Sequence, residues 1–260
     1  MASSPEYVFS RDHLDNNRIN LQHYLVVQLF GYRIHPSIPT QSPDLRIADC
    51  WHRHRGQSKS SSIWLTDLAG ELPKSARLDT LDISFAAAPL PEMLPPSVSL
   101  HQWDVKTDVS EHLMGVYDVV HLRFFAFVIQ EYELDAILER LLKLLTWGYI
   151  QWTDIDISSL RLEKIRPDIQ ADAQVKLMNQ FKGNDNRLDS AWAPPHLALA
   201  LHEVGLLATE VLTRNKASSG TEEVARVMKR TLAQAAKETR DGSYLAFTRY
   251  TVVARKKDPA

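Results

Sequence analysis

The fold class is decided by residues 116–157, VYDVVHLRFFAFVIQEYELDAILERLLKLLTWGYIQWTDIDI. Two runs rich in β-branched and aromatic residues, at 116–125 and 148–157, flank an amphipathic helix of about four turns at 131–145. A strand, a helix and a second strand in this order predict a βαβ unit, which joins two parallel strands. The apolar DVVHL portion of the first run is typical of a strand that is buried on both faces.

The same alternation extends along the chain on both sides of this unit. Further strands are predicted at 45–49, 76–84, 97–105 and 243–257, a charged helix at 221–239, and a helix that gives way to a strand at 193–213. We therefore expect an α/β domain at 44–260, with an open and mostly parallel sheet of about seven strands closed by an antiparallel strand.

The residues that precede this domain have a different sequence pattern. Apolar residues at three- and four-residue steps predict a helix at 6–30, and Gly31 is expected to end it. Three prolines follow before residue 44, which is typical of a linker. Residues 1–43 are therefore interpreted as an N-terminal helical segment with its linker.

Composition excludes several classes of protein. The 260 residues are 44% hydrophobic, enough for one sizeable core, and 30 basic against 32 acidic residues leave a net charge of -2. That balance argues against nucleic-acid and membrane-surface partners. A single cysteine, Cys50, excludes an internal disulfide and a multi-cysteine zinc site. With neither an apolar span nor a secretory signal, the expected location is cytoplasmic.

Candidate binding residues follow the predicted strands, because ligands of open α/β sheets lie beyond the carboxyl ends of the strands. Asp82 ends the second predicted strand, where a carboxylate can accept two hydrogen bonds from a ribose diol; Asp79 is a weaker candidate. Trp103 and Asp104 end the third, where they can frame an adenine. The structural alternatives are that Asp82 is a turn or capping residue and that Trp103 belongs to the core.

The order LRIAD, IWLTDLA, LDIS, VSLHQWDV, YDVVHLRFF along the chain resembles the fungal class I S-adenosylmethionine (SAM)-dependent methyltransferases of secondary metabolism, including the gliotoxin-pathway and UMTA-type enzymes. The resemblance implies a Rossmann-like class I methyltransferase fold, SAM as the cofactor, and an aromatic, indole- or polyketide-type small molecule as the acceptor. It also implies that Asp49 lies near the amino-acid end of SAM, that Asp82 holds the ribose, and that Trp103 and Asp104 frame the adenine.

The sequence departs from that family after the first strand. Family members read roughly D-V-G-T-G-T-G-I-W-L, whereas here Asp49 is followed by CWHRHRGQSKSSS (50–62) before Ile63. The nine glycines of the chain, about 3.5%, compare with a usual value of about 7%. Bulky side chains at 51–55 stand where the backbone should approach the methionyl group closely, so we expect weak SAM binding.

The genetic code offers an origin for this disrupted glycine motif. The segment Cys-Trp-His-Arg-His-Arg-Gly (50–56) is encoded by TGY TGG CAY CGN CAY CGN GGN. Read one base later, these codons allow Val-Gly-Thr-Gly-Thr-Gly. We interpret residues 50–62 as a local frame disturbance, which is either an error in the gene model or splice boundary or a real lesion.

A second departure precedes the fifth predicted strand. The family usually has Lys-Pro-Gly-Gly there, and this chain has Leu-Thr-Trp-Gly at 145–148. We interpret these residues as a surface turn.

His121, near the end of the fourth predicted strand, is the candidate general base; the alternative is a histidine that is buried and satisfied within the strand. Several other side chains could cover the cofactor, wall the acceptor pocket or serve ordinary structural roles: Arg18, Gln22, His23, Phe124, Phe125, Phe127, Trp192 and His196. A metal site from Cys50, His52 and His54 is not expected, because no acidic partner lies nearby in the sequence.

Two functions are consistent with these residues. The first is an active methyltransferase that modifies an oxygen or nitrogen of a small molecule. The second is a SAM-binding-deficient accessory protein that binds a pathway intermediate or a partner enzyme, similar to the methyltransferase-like accessory protein of bis-indolyl quinone (terrequinone) biosynthesis. Segment 50–62 discriminates between them.

Overall fold

The architecture is that of a computed structural model, which describes residues 13–51, 63–83, 85, 91–183, 204–208 and 222–256. Its helices are α1 (His13–Phe30), α2 (Ile63–Ala69), α3 (Leu134–Leu144), α4 (Asp172–Gly183) and α5 (Glu222–Asp241). Its strands are β1 (Arg46–Cys50), β2 (Arg77–Asp82), β3 (Val98–Gln102), β4 (Tyr117–Arg123), β5 (Leu145–Lys164), β6 (Val204–Ala208) and β7 (Ser243–Arg255). Short 3₁₀ turns lie at Pro91–Met93, Glu111–Leu113, Phe125–Phe127 and Glu131–Glu133.

The strands form one mixed, seven-stranded sheet in the order β3-β2-β1-β4-β5-β7-β6. Strands β3, β2, β1, β4 and β5 are parallel to one another, whereas β7 is antiparallel to both β5 and β6. The predicted α/β class and the antiparallel C-terminal strand are confirmed, and the arrangement is Rossmann-like. The expectation that this strand forms the edge is wrong, because β7 lies between β5 and β6. Strand order reverses between β1 and β4, which is where such sheets bind ligands.

Helix α3 connects β4 to β5 and covers one face of the sheet. Its buried residues Ile137 and Leu141 pack in one core cluster with Ala48 and Leu122 of β1 and β4. The predicted helix at 131–145 begins later than expected, because residues 131–133 form a 3₁₀ turn closed by a capping box between Gln130 and Glu133.

Helix α2 covers the opposite face, but only over the first half of the strands. There Ile47 and Val119 pack with Trp64 and Leu65 of α2. Because alternate residues of a strand share a face, the polar residues two positions further along β1 and β4 lie on this same face, toward the carboxyl ends. The α2 face therefore changes from apolar to polar along the strands.

The interpretation of residues 145–148 as a surface turn is wrong, since all four belong to β5. A Cβ atom at Gly148 would overlap the backbone of Asp118 in β4, so this position requires glycine for close approach. The register between the two strands shifts at the same point, between Tyr117 and Val119. A local irregularity of this kind is difficult to distinguish from a turn in a single sequence.

The N-terminal segment is held against the sheet by its backbone. Helix α1 ends at Phe30, as predicted, and Gly31 follows with a φ of 79°. The carbonyl oxygen of Arg33 accepts hydrogen bonds from Trp64 Nε1 at 3.2 Å and from Gln151 Nε2 at 2.9 Å. The linker thus contacts both α2 and β5. The predicted start of α1 lies outside the described residues.

Candidate functional site

The residues expected to hold a nucleoside lie at neighbouring strand ends. Asp82 is the last residue of β2, where it pairs with Gln102, and Trp103 and Asp104 directly follow β3. The backbone N–H of Trp103 donates to the carbonyl oxygen of Asp82 at 2.9 Å. The two carboxylates therefore belong to one carboxyl edge of the sheet.

These residues differ in their surroundings. Asp82 is buried and accepts a hydrogen bond from the backbone N–H of Ile83 at 2.6 Å, whereas Asp104 is half-buried and accepts one from the backbone N–H of Lys106 at 2.9 Å. Trp103 is buried in the core on the α3 face, and its indole N–H donates to a backbone carbonyl at 3.2 Å. Trp103 therefore packs as a core residue, which is the structural alternative given for it above.

Asp49, expected near the amino-acid end of the cofactor, has both carboxylate oxygens engaged. One oxygen lies 2.7 Å from His121 Nδ1, and the other accepts a hydrogen bond from Trp51 Nε1 at 2.5 Å. The backbone N–H of Trp51 also donates to the carbonyl oxygen of Leu81 at 2.8 Å. The first residues of the altered segment thus close over Asp49, which is only 1% exposed. In this conformation both oxygens of Asp49, the residue expected beside the amino-acid end of SAM, are hydrogen-bonded within the chain.

His121 is the register partner of Asp49 across the switch point and is equally buried. Burial lowers the pKa of His121, and the hydrogen bond to Asp49 opposes this effect. The neutral imidazole then donates from Nδ1 to Asp49, which leaves Nε2 as an acceptor without a hydrogen-bond partner among the described residues. The indole of Trp64 stacks on the ring, with centroids 3.8 Å apart. His121 is therefore satisfied at one nitrogen only, and access to it is restricted.

Sequence analysis missed Arg123, the last residue of β4. It is buried on the same face as Asp49 and His121, and its Nη1 lies 3.0 Å from Nδ1 of His23 in α1. Burial lowers the pKa of Arg123 to about 10. A signal was present in the sequence, because Arg123 stands between the apolar residues Leu122 and Phe124.

His23, named above as one possible cover of the cofactor, holds Arg123 in place. Its Nε2 lies 3.0 Å from Asp67 of α2, and Asp67 also pairs with Arg33 at 3.3 Å. Burial and the Arg123 charge lower the pKa of His23 to about 4. The ring is thus neutral near pH 7, donates from Nε2 to Asp67, and accepts from Arg123 at Nδ1.

The turn after β4 is tight and firmly anchored. Phe124 has a left-handed backbone with a φ of 62°, which is an outlier for a bulky residue. Phe125 belongs to the core and contacts Trp152 edge-to-face, so it is not a pocket wall. Asp154 accepts hydrogen bonds from Trp152 Nε1 at 3.0 Å and from the backbone N–H of Ala126 at 2.9 Å. Burial raises the pKa of Asp154 to about 6.

Several residues named as candidates lie outside the part of the chain that the structure describes. Trp192, His196, His52 and His54 lie outside the described residues, as do the side chains of Arg18 and Phe127. Within the described ranges no three His, Cys, Asp or Glu side chains are grouped as metal ligands would be. In the same part of the chain, no helix has the length and apolar character needed to cross a bilayer.

The chain is similar to three curated fungal methyltransferases over part of its length. It is 33% identical over 116 residues to the N-methyltransferase tcpN of Claviceps purpurea, covering 44% of this chain and 39% of that one. It is 26% identical over 147 residues to the methyltransferase grgD of a Penicillium species, covering 54% and 48%. It is 25% identical over 160 residues to the N-methyltransferase gliN of Aspergillus fumigatus, covering 61% and 53%. The matches thus span about half the length of these relatives or less.

Among solved structures, a SAM-dependent methyltransferase from Archaeoglobus fulgidus is similar at 12% identity with a TM-score of 0.39, covering 93% of this chain and 94% of that one. The plantazolicin methyltransferase BpumL, solved with S-adenosylhomocysteine (SAH) and a pentazolic analogue, is similar at 15% identity with a TM-score of 0.44, covering 94% and 88%. No family model matches the chain.

Proposed function

We propose that this chain is a SAM-dependent methyltransferase-like protein of fungal secondary metabolism, and that its acceptor is an oxygen or nitrogen of a small aromatic, indole- or polyketide-type metabolite. When bound, SAM supplies an activated methyl group on a sulfonium, and the protein orients donor and acceptor. We also propose a cytoplasmic location, without nucleic-acid or membrane partners. The similarity to fungal methyltransferases supports the reaction class.

One observation carries the cofactor assignment. Asp82 and Asp104 follow neighbouring parallel strands at the carboxyl edge of the sheet, beside the point where strand order reverses. A nucleoside laid across these strand ends would present its ribose diol to Asp82 and its adenine amino group to Asp104. Both groups are donors, and both carboxylates are acceptors, so their chemistry is complementary.

A second candidate function is favoured by the hydrogen bond between Trp51 and Asp49. In that bond the indole N–H of Trp51 donates to the Asp49 carboxylate, which would otherwise accept from the amino group of SAM. A chain closed in this way would bind SAM weakly and act as an accessory protein, by binding a pathway intermediate or a partner enzyme.

Calorimetric titration of the unmodified chain with SAM and SAH separates the two functions. Micromolar affinity supports the methyltransferase, and methyl transfer from labelled SAM to aromatic hydroxyl and amine acceptors is then the direct test. Affinity weaker than millimolar supports the accessory function. The matched control is the same titration of Asp168→Ala, because Asp168 is exposed and far along the chain from the strand ends. Equal loss of affinity in Asp168→Ala and Asp82→Ala would reject the assigned site.

A further inference from the structure

The buried face beside the switch point contains a cation with no ion pair among the described residues. Arg123 is 7% exposed, and its Nε has no hydrogen-bond partner in the described part of the chain. Its partner at Nη1 is His23, which is neutral near pH 7 and offers no counter-charge. A guanidinium has five N–H donors, and the hydrogen bonds of Arg123 within the described residues involve Nη1 alone.

The acidic group that stabilises the charge of Arg123 does not bond to it among the described residues. Asp49 is the acidic group that favours the charged form of Arg123, but its two oxygens are bonded to His121 and Trp51. The segment 52–62, which follows β1, contains no Asp or Glu. A buried charge without a close partner is strongly unfavourable, and since none of the described residues pairs with Arg123, a ligand that completes the pair would be stabilising here.

The backbone next to Arg123 supports the same conclusion independently. Phe124 holds a left-handed conformation that bulky residues rarely adopt, and the strand and turn around it are fixed by a hydrogen bond from its N–H to the Thr153 carbonyl oxygen at 3.2 Å. Strain of this kind is concentrated at ligand-binding sites. The Arg123 guanidinium carbon lies 6.0 Å from the centroid of the Phe124 ring, so an aromatic surface adjoins the cation.

We propose that Arg123 is a binding residue for a carboxylate on the ligand of this site, positioned by His23 from α1. A planar carboxylate matches the fork of guanidinium donors and supplies a directly bonded counter-charge. Two ligands carry such a group: the methionyl tail of SAM and an acidic methyl acceptor. The proposal rests on the proposed function for the identity of the ligand, whereas binding of the carboxylate itself requires neither SAM nor methyl transfer.

The test compares acids with their neutral amides by ligand-observed NMR titration of the unmodified chain without SAM. Phenylacetate against phenylacetamide represents an aromatic acceptor, and L-methionine against L-methioninamide represents the cofactor tail. We expect the acid of at least one pair to bind roughly tenfold or more tightly than its amide, as a charge-assisted hydrogen bond predicts. The pair that discriminates identifies the source of the carboxylate.

Variants assign the discrimination to Arg123. Arg123→Met should abolish it, Arg123→Lys should retain part of it, and Arg166→Met should leave it intact, because Arg166 is exposed and pairs with Asp168. Circular dichroism establishes that each variant is folded. Equal affinities for acid and amide in both pairs of the unmodified chain would overturn the proposal, as would discrimination that persists in Arg123→Met. Neither result depends on SAM binding, so this failure is distinguishable from that of the proposed function.

Discussion

Replacing Trp51 by phenylalanine tests the hydrogen bond by which Trp51 covers Asp49. The substitution keeps an aromatic ring and removes the indole N–H that donates to the Asp49 carboxylate at 2.5 Å. Asp49 is 1% exposed, so water cannot readily replace the lost donor. A hydrogen bond to a charged group contributes about 1.5–3 kcal/mol, and we expect the free energy of unfolding to fall by that amount.

The assay is urea unfolding at pH 7, followed by circular dichroism and by tryptophan fluorescence. Trp147→Phe is the matched control, because Trp147 is half exposed and lies at the start of β5, away from Asp49. Its free energy of unfolding should change by less than about 0.5 kcal/mol. If Trp51→Phe were as stable as this control, Trp51 would not close the site, and the explanation for weak SAM binding would be lost.

Three further predictions follow from the site and the fold. The pKa of His23 is about 4 in the folded chain against an ordinary value of 6.5, so the unfolded chain binds the proton first as the pH falls. Between pH 7 and pH 4 the unmodified chain should therefore lose roughly 3 kcal/mol of stability relative to His23→Gln. Equal pH profiles of the two proteins in urea unfolding would contradict this. Asp82→Ala and Asp104→Ala should each weaken SAM binding by about 1.5–3 kcal/mol in a chain that binds SAM, measured by calorimetry, and unchanged affinity in both would reject the pocket. Gly148→Ala should destabilise the chain by about 1–3 kcal/mol or more, because the added Cβ would overlap the neighbouring strand. The control Gly70→Ala places its Cβ in an ordinary van der Waals contact and should cost less than about 1 kcal/mol. Equal unfolding midpoints for the two variants would refute the close approach at Gly148.

Periodicity and strand–helix alternation were sufficient to predict the sheet. Strands β1, β2, β3 and β4 were located to within a few residues, because parallel strands buried on both faces have nearly continuous apolar sequences. The same logic placed Asp82 and Asp104 at strand ends. What periodicity could not provide was the boundary of β5, since the irregular pairing at Gly148 depends on contact with another strand.

The side-chain network of the site was harder to predict. The pairing of Asp49 with His121 joins residues 72 positions apart, and that of His23 with Arg123 joins residues 100 positions apart. A single sequence does not reveal such long-range contacts. An arginine between apolar residues at the end of β4 was nevertheless a usable signal, because a charge buried at that position needs a partner. The role of Trp103 could not be decided from the sequence, since a tryptophan at a strand end can pack in the core as readily as it can contact a ligand.

The central proposal is that this chain retains the nucleoside half of a SAM site, and that Trp51, at the start of segment 50–62, blocks the methionyl half through its hydrogen bond to Asp49. The most direct test is calorimetric titration with SAM of two proteins: the unmodified chain, and a chain in which residues 50–62 are replaced by Val-Gly-Thr-Gly-Thr-Gly. The account predicts millimolar or undetectable affinity for the first, which favours the accessory function for the unmodified chain. It predicts micromolar affinity for the second, with little change in the free energy of unfolding. Micromolar affinity in the unmodified chain, or no gain after the replacement, would contradict it.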